Sequence, residues 1–431
     1  MNYSQTIEYL FTTTPSFQQV GADAYKPGLE RICDFCHYLG DPQKNYLMIH
    51  VAGTNGKGSV SHMLASVLQH AGYRVGLFTS PHLRDFRERM RVDGKMISER
   101  EVVDFVARHK AKMRELDLSF FEMTTAMAFD FFATSEVKVA VIETGLGGRL
   151  DATNIITPEV SVVTNIGLDH TDLLGDTIEK VAGEKAGIIK RNIPIVLGEA
   201  SEQYNAVFEQ RAAELDSRVI YAEQEVRVVE HKRERDHQRM VLDRVRDGHR
   251  FEFVMDLAGE YQYHNVITAA AAADYLDTHT KITISRRAFI EGMAAVAATT
   301  KLAGRWQQLS DKPYIVCDTG HNAHGINYVA SMLRESAKRF KRQIVVIGFA
   351  REKSIDNILP MLPREAYYIF TQAAISRAMP AEELAQKAQS AGLQGEVQRS
   401  VAEAMARARQ MASEEDMIFV GGSNFVVAEV L

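Results

Sequence analysis

Residues 50–59 read His50-Val51-Ala52-Gly53-Thr54-Asn55-Gly56-Lys57-Gly58-Ser59. An apolar stretch, Tyr46 to Val51, precedes this run and reads as a buried strand. A helical pattern follows, with apolar residues at Val60, Met63, Leu64, Val67, Leu68 and Ala71. Strand, glycine loop and helix in that order constrain the fold more than any other feature of the chain. Glycines let backbone N–H groups close around phosphate oxygens, and the helix N-terminus adds a favourable partial charge. In such a loop Lys57 reaches the outer phosphates and the Ser59 hydroxyl faces Mg²⁺. The spacing is Gly-x-x-Gly-Lys-Gly-Ser, narrower than the common Gly-x-x-x-x-Gly-Lys-Ser form.

The rest of the chain repeats the alternation. Strand-like runs at Tyr46–Val51, Tyr73–Thr79, Lys138–Thr144, Val160–Asn165 and Ile193–Leu197 alternate with helical patterns. This predicts an α/β fold with a mostly parallel sheet covered on both faces. The charge-rich stretch Glu223 to Val254 reads instead as antiparallel strands and turns at the edge of a first domain. Helices are expected over Asn265–Leu276 and Ser285–Ala298. A second β/α series begins after Gly304-Arg305, with strands at Tyr314–Cys317, Gln343–Gly348, Ala366–Thr371 and Met417–Val420. Two domains are therefore expected, 1–297 and 298–431, which suits 431 residues that are 46% hydrophobic.

Composition removes several classes. A net charge of −6 gives no general attraction to nucleic acid or an anionic membrane. No apolar run is long enough to span a bilayer, and Met1 to Leu10 lacks a signal-peptide core, so a cytoplasmic protein is expected. Three cysteines are too few for a disulfide framework. Cys33 and Cys36 lie on an expected amphipathic helix, Gly28 to Leu39, and both read as core or near-core residues.

In open α/β sheets, ligands sit at the carboxyl ends of strands. Ser80-Pro81-His82, the run Glu143 to Arg149 and the run Asn165 to His170 each end a predicted strand, as do Asp318–Asn322 and Gly421-Gly422-Ser423. A hydroxyl (Ser80), a carboxylate (Glu143) and an imidazole (His170) suit divalent cations beside ATP phosphates.

Taken together, His50–Ser59, Phe78–Leu83, Glu143–Asn154 (ETGLGGRLDATN), Leu168–Thr171, Gly183–Ile188 and Asp318–Asn322 resemble folylpolyglutamate synthase and dihydrofolate synthase. These form the folate branch of the Mur ligase superfamily. The resemblance implies an N-terminal P-loop ATPase domain, a C-terminal Rossmann-like domain and an active site in the cleft between them. It implies an ATP-dependent acid–amino-acid ligase. L-Glutamate would be added to 7,8-dihydropteroate and to tetrahydrofolates through an acyl phosphate. ATP and two Mg²⁺ are the implied cofactors, with K⁺ as a further cation, and a monomer is implied.

Residue by residue, Thr54, Asn55, Gly56, Lys57, Gly58 and Ser59 match the triphosphate loop, and Asn265, Arg305 and Asp318 match nucleotide contacts. Ser59, Ser80, Glu143 and His170 match the metal site, and Lys185 matches a carbamylated lysine. Lys57, His170, Lys185, Asp318 and His321 match catalytic positions. Lys26, Pro27, Gly28, Phe121, Glu122, Met123, Thr124, Leu150, Asp151 and Ala152 match the pterin end of the substrate site, and His321 and Asn322 the glutamate and phosphate end. The run Arg-Leu-Asp-Ala-Thr-Asn leans towards a bifunctional enzyme. Gly320 stands where alanine is usual in the Asp-x-x-His-Asn motif. A folylpolyglutamate synthase alone, another Mur-type ligase and a P-loop kinase remain the competing readings; a kinase explains the loop but neither Lys185 nor Asp318–Asn322.

Overall fold

The apolar runs become the strands of a sheet buried on both faces. The computed structural model describes residues 1–13, 26–351 and 355–431. Eight strands form the first sheet: β1 (Leu47–Ala52), β2 (Val75–Phe78), β3 (Met90–Val92), β4 (Lys95–Met96), β5 (Val139–Glu143), β6 (Val160–Val163), β7 (Ile195–Leu197) and β8 (Val219–Tyr221). Their order is β4-β3-β2-β5-β1-β6-β7-β8. The six from β2 to β8 in that order are parallel, and β3 and β4 add an antiparallel edge. The parallel strands are mostly apolar and rich in valine and isoleucine because helices cover both sides. One face packs Met48, Phe78, Ala140 and Ile142 into a core shared with helix Phe120–Thr134. The other packs Val163, Ile195 and Leu197 with helices Ile178–Ala186 and Asn205–Glu214.

The glycine loop leaves β1 near the middle of this sheet. β5 and β2 lie on one side of β1, and β6 to β8 on the other. This reversal of winding opens a crevice at the carboxyl ends of the strands. Helix Lys57–His70 starts there and is buried along most of its length. Helix Arg286–Ala294 crosses it at Gly292, where a Cβ would lie 2.5 Å from Val67 Cα, and Ser66 Oγ donates to the Gly292 carbonyl at 2.7 Å.

The stretch after residue 225 forms its own antiparallel sheet, β11-β10-β9: β9 (Val226–Arg233), β10 (Gln238–Arg244) and β11 (Arg250–Met255). At the start of the stretch expected as strands and turns, Ala222–Glu225 make a helical turn. The expected helix Ser285–Ala298 is split at Ala295 into Arg286–Ala294 and Val296–Thr300. Cys33 is a correction: the helix is Glu30–Tyr38, and it turns Ile32, Phe35 and Cys36 inward while Cys33 is exposed. At 100° per residue, Cys33 falls outside the stripe set by its buried neighbours.

The chain divides into two compact units. The first is Met1–Lys232, Gln238–Asp256 and Gln262–Leu302; the second is Arg233–His237, Leu257–Tyr261 and Ala303–Leu431. The second unit carries β12 (Gln307–Ser310), β13 (Tyr314–Asp318), β14 (Gln343–Ile347), β15 (Tyr367–Phe370), β16 (Gln394–Val397) and β17 (Met417–Gly421). Their order is β12-β13-β17-β14-β15-β16, parallel except for the β12 edge. Cores on both faces bury Val316, Val345 and Phe419 on one side and Ile344, Ile369 and Ile418 on the other. Among the described residues no helix is long and apolar enough to cross a membrane.

Candidate functional site

The loop after β1 takes its shape from residues 164–167, which follow β6. Gly53 and Gly56 have φ of 148° and 84°, a region costly for residues with a Cβ. A Cβ on Gly53 would also lie 1.9 Å from Thr164 Oγ1. Thr54 and Asn55 donate their amides to the Asn165 carbonyl (3.0 Å) and to Asn165 Oδ1 (2.9 Å). Thr54 Oγ1 donates to the Gly167 carbonyl and accepts from the Gly167 amide, both at 3.0 Å. The segment that the sequence offered as a second strand-end motif is thus the buttress of the first.

Two lysines meet at one carbonyl under this loop. Lys57 Nζ donates to Gly53 O at 2.9 Å and to Thr54 O at 3.3 Å. Lys185 Nζ donates to the same Gly53 O at 3.0 Å. Lys185 lies in the last turn of helix Ile178–Ala186 and is only 2% exposed. Burial, then the neighbouring Lys57 charge, pushes its pKa down from 10.5 to about 7. The loop 145–154 holds that helix end in place. The Arg149 amide donates to Glu184 O (2.8 Å), and Asn154 Nδ2 donates to Arg149 O and Gly187 O, both at 3.0 Å.

The candidate cation ligands end adjacent strands. Glu143 closes β5, is 2% exposed and accepts the Ser80 amide at 3.3 Å. Ser59, in the first turn of helix Lys57–His70, accepts from Gln262 Nε2 at 3.2 Å. His170 lies in the left-handed region at φ 51°, with Nε2 4.0 Å from Asp169 Oδ1. β2, β5, β1 and β6 are neighbours and parallel, so the four candidates share one sheet edge. Among the described residues no three His, Cys, Asp or Glu side chains group as a metal cage. One buried carboxylate with hydroxyls nevertheless fits Mg²⁺, which takes few protein oxygens and completes its shell with phosphates and water.

The predicted pterin residues divide into two kinds. Lys26 pairs with Asp117 at 2.7 Å, and Arg31 holds the Lys26 and Pro27 carbonyls at 2.8 and 3.4 Å. Gly28 has φ 105°. Arg31 also pairs with Glu122 (3.2 Å), which is buried and closes a capping box with Ser119. Met123, Thr124 and Ala152 are buried, whereas Phe121 and Leu150 keep accessible surface. The Phe121 ring packs on Gly145. Asp151 is buried and accepts from the Leu146 amide (2.8 Å), the Thr153 amide (3.0 Å) and Thr153 Oγ1 (2.5 Å). Because Thr153 spends its proton on Asp151, His50 Nε2, 2.8 Å from that hydroxyl, must be the donor. His50 is fully buried, its pKa is lowered to about 3 by burial, and its Nδ1 has no hydrogen-bond partner. Glu122 and Asp151 are thus both held by hydrogen bonds from within the protein.

In the second unit, Asp318 ends β13 and is held by three donors. It accepts from Tyr261 Oη (2.5 Å), the Trp306 amide (2.8 Å) and the Gly320 amide (2.7 Å). Burial raises its pKa. Arg305 donates to Thr319 Oγ1 and to Gly304 O. His321 Nδ1 lies 3.0 Å from the Thr319 carbonyl, and Asn322 caps helix Ala323–Ser336 through the Gly325 amide. The sequence assigned no role to Arg31, His50, Thr153, Tyr261 or Gln262; His50, a polar residue in an apolar strand, and Thr153, inside the run 143–154, had a signal.

Residues 51–273 match the Mur ligase middle domain, and residues 304–424 the Mur ligase, glutamate ligase domain. A dihydrofolate synthase/folylpolyglutamate synthase of Bacillus subtilis is 35% identical over 83% of this chain and 84% of its own. A probable bifunctional folylpolyglutamate synthase/dihydropteroate synthase of Haloferax volcanii is 33% identical over 100% of this chain, which spans 50% of that longer protein. The structure of E. coli FolC in complex with DHPP and ADP superposes with a TM-score of 0.86 at 29% identity, over 100% of this chain and 97% of that one. On these matches, the chain belongs to the Mur ligase family, in its folylpolyglutamate synthase and dihydrofolate synthase branch.

Proposed function

We propose that this chain is an ATP-dependent ligase that joins L-glutamate to 7,8-dihydropteroate and to tetrahydrofolates. The observation that carries the reading is the pair of lysines on Gly53 O: one in the phosphate loop, the other buried beneath it and partly neutral near pH 7. The related proteins' names and the ADP and DHPP of the FolC complex support the same reaction class.

A carboxylate is a poor electrophile, so it must be activated. An acceptor carboxylate oxygen attacks the γ-phosphorus of ATP, the bond to the bridging oxygen breaks, and ADP leaves. The glutamate amine then attacks the acyl phosphate carbonyl, loses a proton and expels inorganic phosphate. Catalysis is mostly alignment and charge stabilisation. Lys57 leaves Gly53 O and Thr54 O for the phosphates, while the amides of the loop and of the helix start cradle them. Ser59, Glu143, Ser80 and His170 would hold Mg²⁺, which neutralises phosphate charge. Neutral Lys185 can add to CO₂ and lose a proton, giving a carbamate under the loop. Lys26–Gly28, Phe121 and Leu150 offer the surface for the pterin. Asn265, Arg305 and Asp318 are assigned to the nucleotide, and His321 and Asn322 to glutamate and phosphate.

ATP-dependent incorporation of labelled L-glutamate, with 7,8-dihydropteroate and a reduced folate monoglutamate as parallel acceptors, tests this. Incorporation into both is expected. Incorporation into one alone removes bifunctionality; incorporation into neither, with ATP bound, removes the folate assignment.

A further inference from the structure

The first turn of helix Gln262–His279 closes on the glycine loop. Gln262 is fully buried, and Asn265, one turn later on the same face, is 6% exposed. Asn265 Nδ2 donates to Gln262 Oε1 at 2.8 Å. With its oxygen engaged, the Gln262 amide presents its NH₂ group to Ser59 Oγ at 3.2 Å. Asn265 is itself held against the loop, since a Cβ on Gly56 would lie 2.2 Å from its Oδ1. The chain of contacts Gly56, Asn265, Gln262, Ser59 therefore starts and ends in the same loop.

The chemistry of a hydroxyl gives this circuit a meaning. Ser59 Oγ has two lone pairs and one proton. The Gln262 N–H occupies one lone pair and stops the hydroxyl from turning freely. One lone pair remains, directed away from Gln262, and a cation ligand must offer such a pair. A serine hydroxyl is a weak ligand, so its orientation is a large part of what it contributes. Groups that orient metal ligands change metal affinity when removed, although they never touch the ion.

We infer that Gln262 is a positioning residue that orients Ser59 Oγ towards the Mg²⁺ of the bound nucleotide, with Asn265 setting the direction of its amide. This rests on the reading above, that Ser59 belongs to a magnesium–nucleotide site.

The test uses the full chain and a fluorescent ADP analogue, titrated in EDTA and at rising Mg²⁺. Gln262→Leu should raise the half-saturating Mg²⁺ concentration about 10-fold or more. Binding in EDTA should stay within about twofold of wild type, because the loop itself is intact. On a Ser59→Ala background, Gln262→Leu should add less than about a twofold further change, since the two act as one unit. A thermal melt of each variant reports folding. If Gln262→Leu does not fold, Gln262→Asn keeps an amide but withdraws the donor by one methylene, and carries the same expectation. A wild-type magnesium midpoint in the folded variants overturns the inference, as does an equal loss with and without Mg²⁺, the mark of a mere prop. A wild-type chain whose ADP binding ignores Mg²⁺ overturns the nucleotide-site reading itself, and the inference with it.

Discussion

Lys185 shows how far burial changes a residue. Its pKa falls from 10.5 to about 7, so between those values the unfolded chain carries a proton that the folded chain lacks. Stability should therefore rise with pH across that window, by at most about 1.4 kcal/mol per pH unit. Below about pH 7 both states are protonated and the full cost of burying the charge is felt. Urea unfolding of wild type and Lys185→Met at pH 7 and pH 9, in CO₂-free buffer, should show wild type gaining on the variant at the higher pH. A constant difference would mean that the amine keeps its proton. Lys57→Ala removes the cation expected at the phosphates, and turnover in the glutamate incorporation assay should fall about 10²–10³-fold. Thr153→Val keeps the shape but strips His50 and Asp151 of a shared partner. It should destabilise by about 1–3 kcal/mol in urea, with Thr153→Ser near wild type.

At the scale of elements, close approach matters more than propensity. The contact of helix Arg286–Ala294 with helix Lys57–His70 depends on Gly292, where a methyl group would meet the Val67 backbone. Gly292→Ala should gain helix propensity yet lose about 1–3 kcal/mol to overpacking. The displaced helix begins at Lys57, so ADP affinity in the same preparation should fall as well. Stability at or above wild type would mean that the helices part without cost. The charge-rich hairpins followed the same logic. They could not join the buried parallel sheet, so they paired among themselves as β9 to β11.

At the scale of the molecule, each unit has a core of its own, but the second borrows short segments from earlier in the chain. Ala258 lies in the core of the second unit, and Tyr261 donates to the buried Asp318. A fragment of residues 303–431 should therefore melt well below the transition of the second unit in the full chain. Tyr261→Phe should lower that transition by about 1–3 kcal/mol, as a buried carboxylate loses a donor. The sequence by itself determined the alternation of strands and helices, the glycine loop and the two β/α series, and it nominated the residues that the proposed function uses. Those features are local: periodicity, glycine spacing and strand ends are written in contiguous residues. Tertiary structure alone decided that Lys185 is buried against Gly53 O, that Asp151 and Glu122 are committed to hydrogen bonds, that Cys33 faces out and that Gln262 reaches Ser59. Each of these depends on a partner brought close by folding, and burial and hydrogen-bond saturation exist only once that partner has arrived.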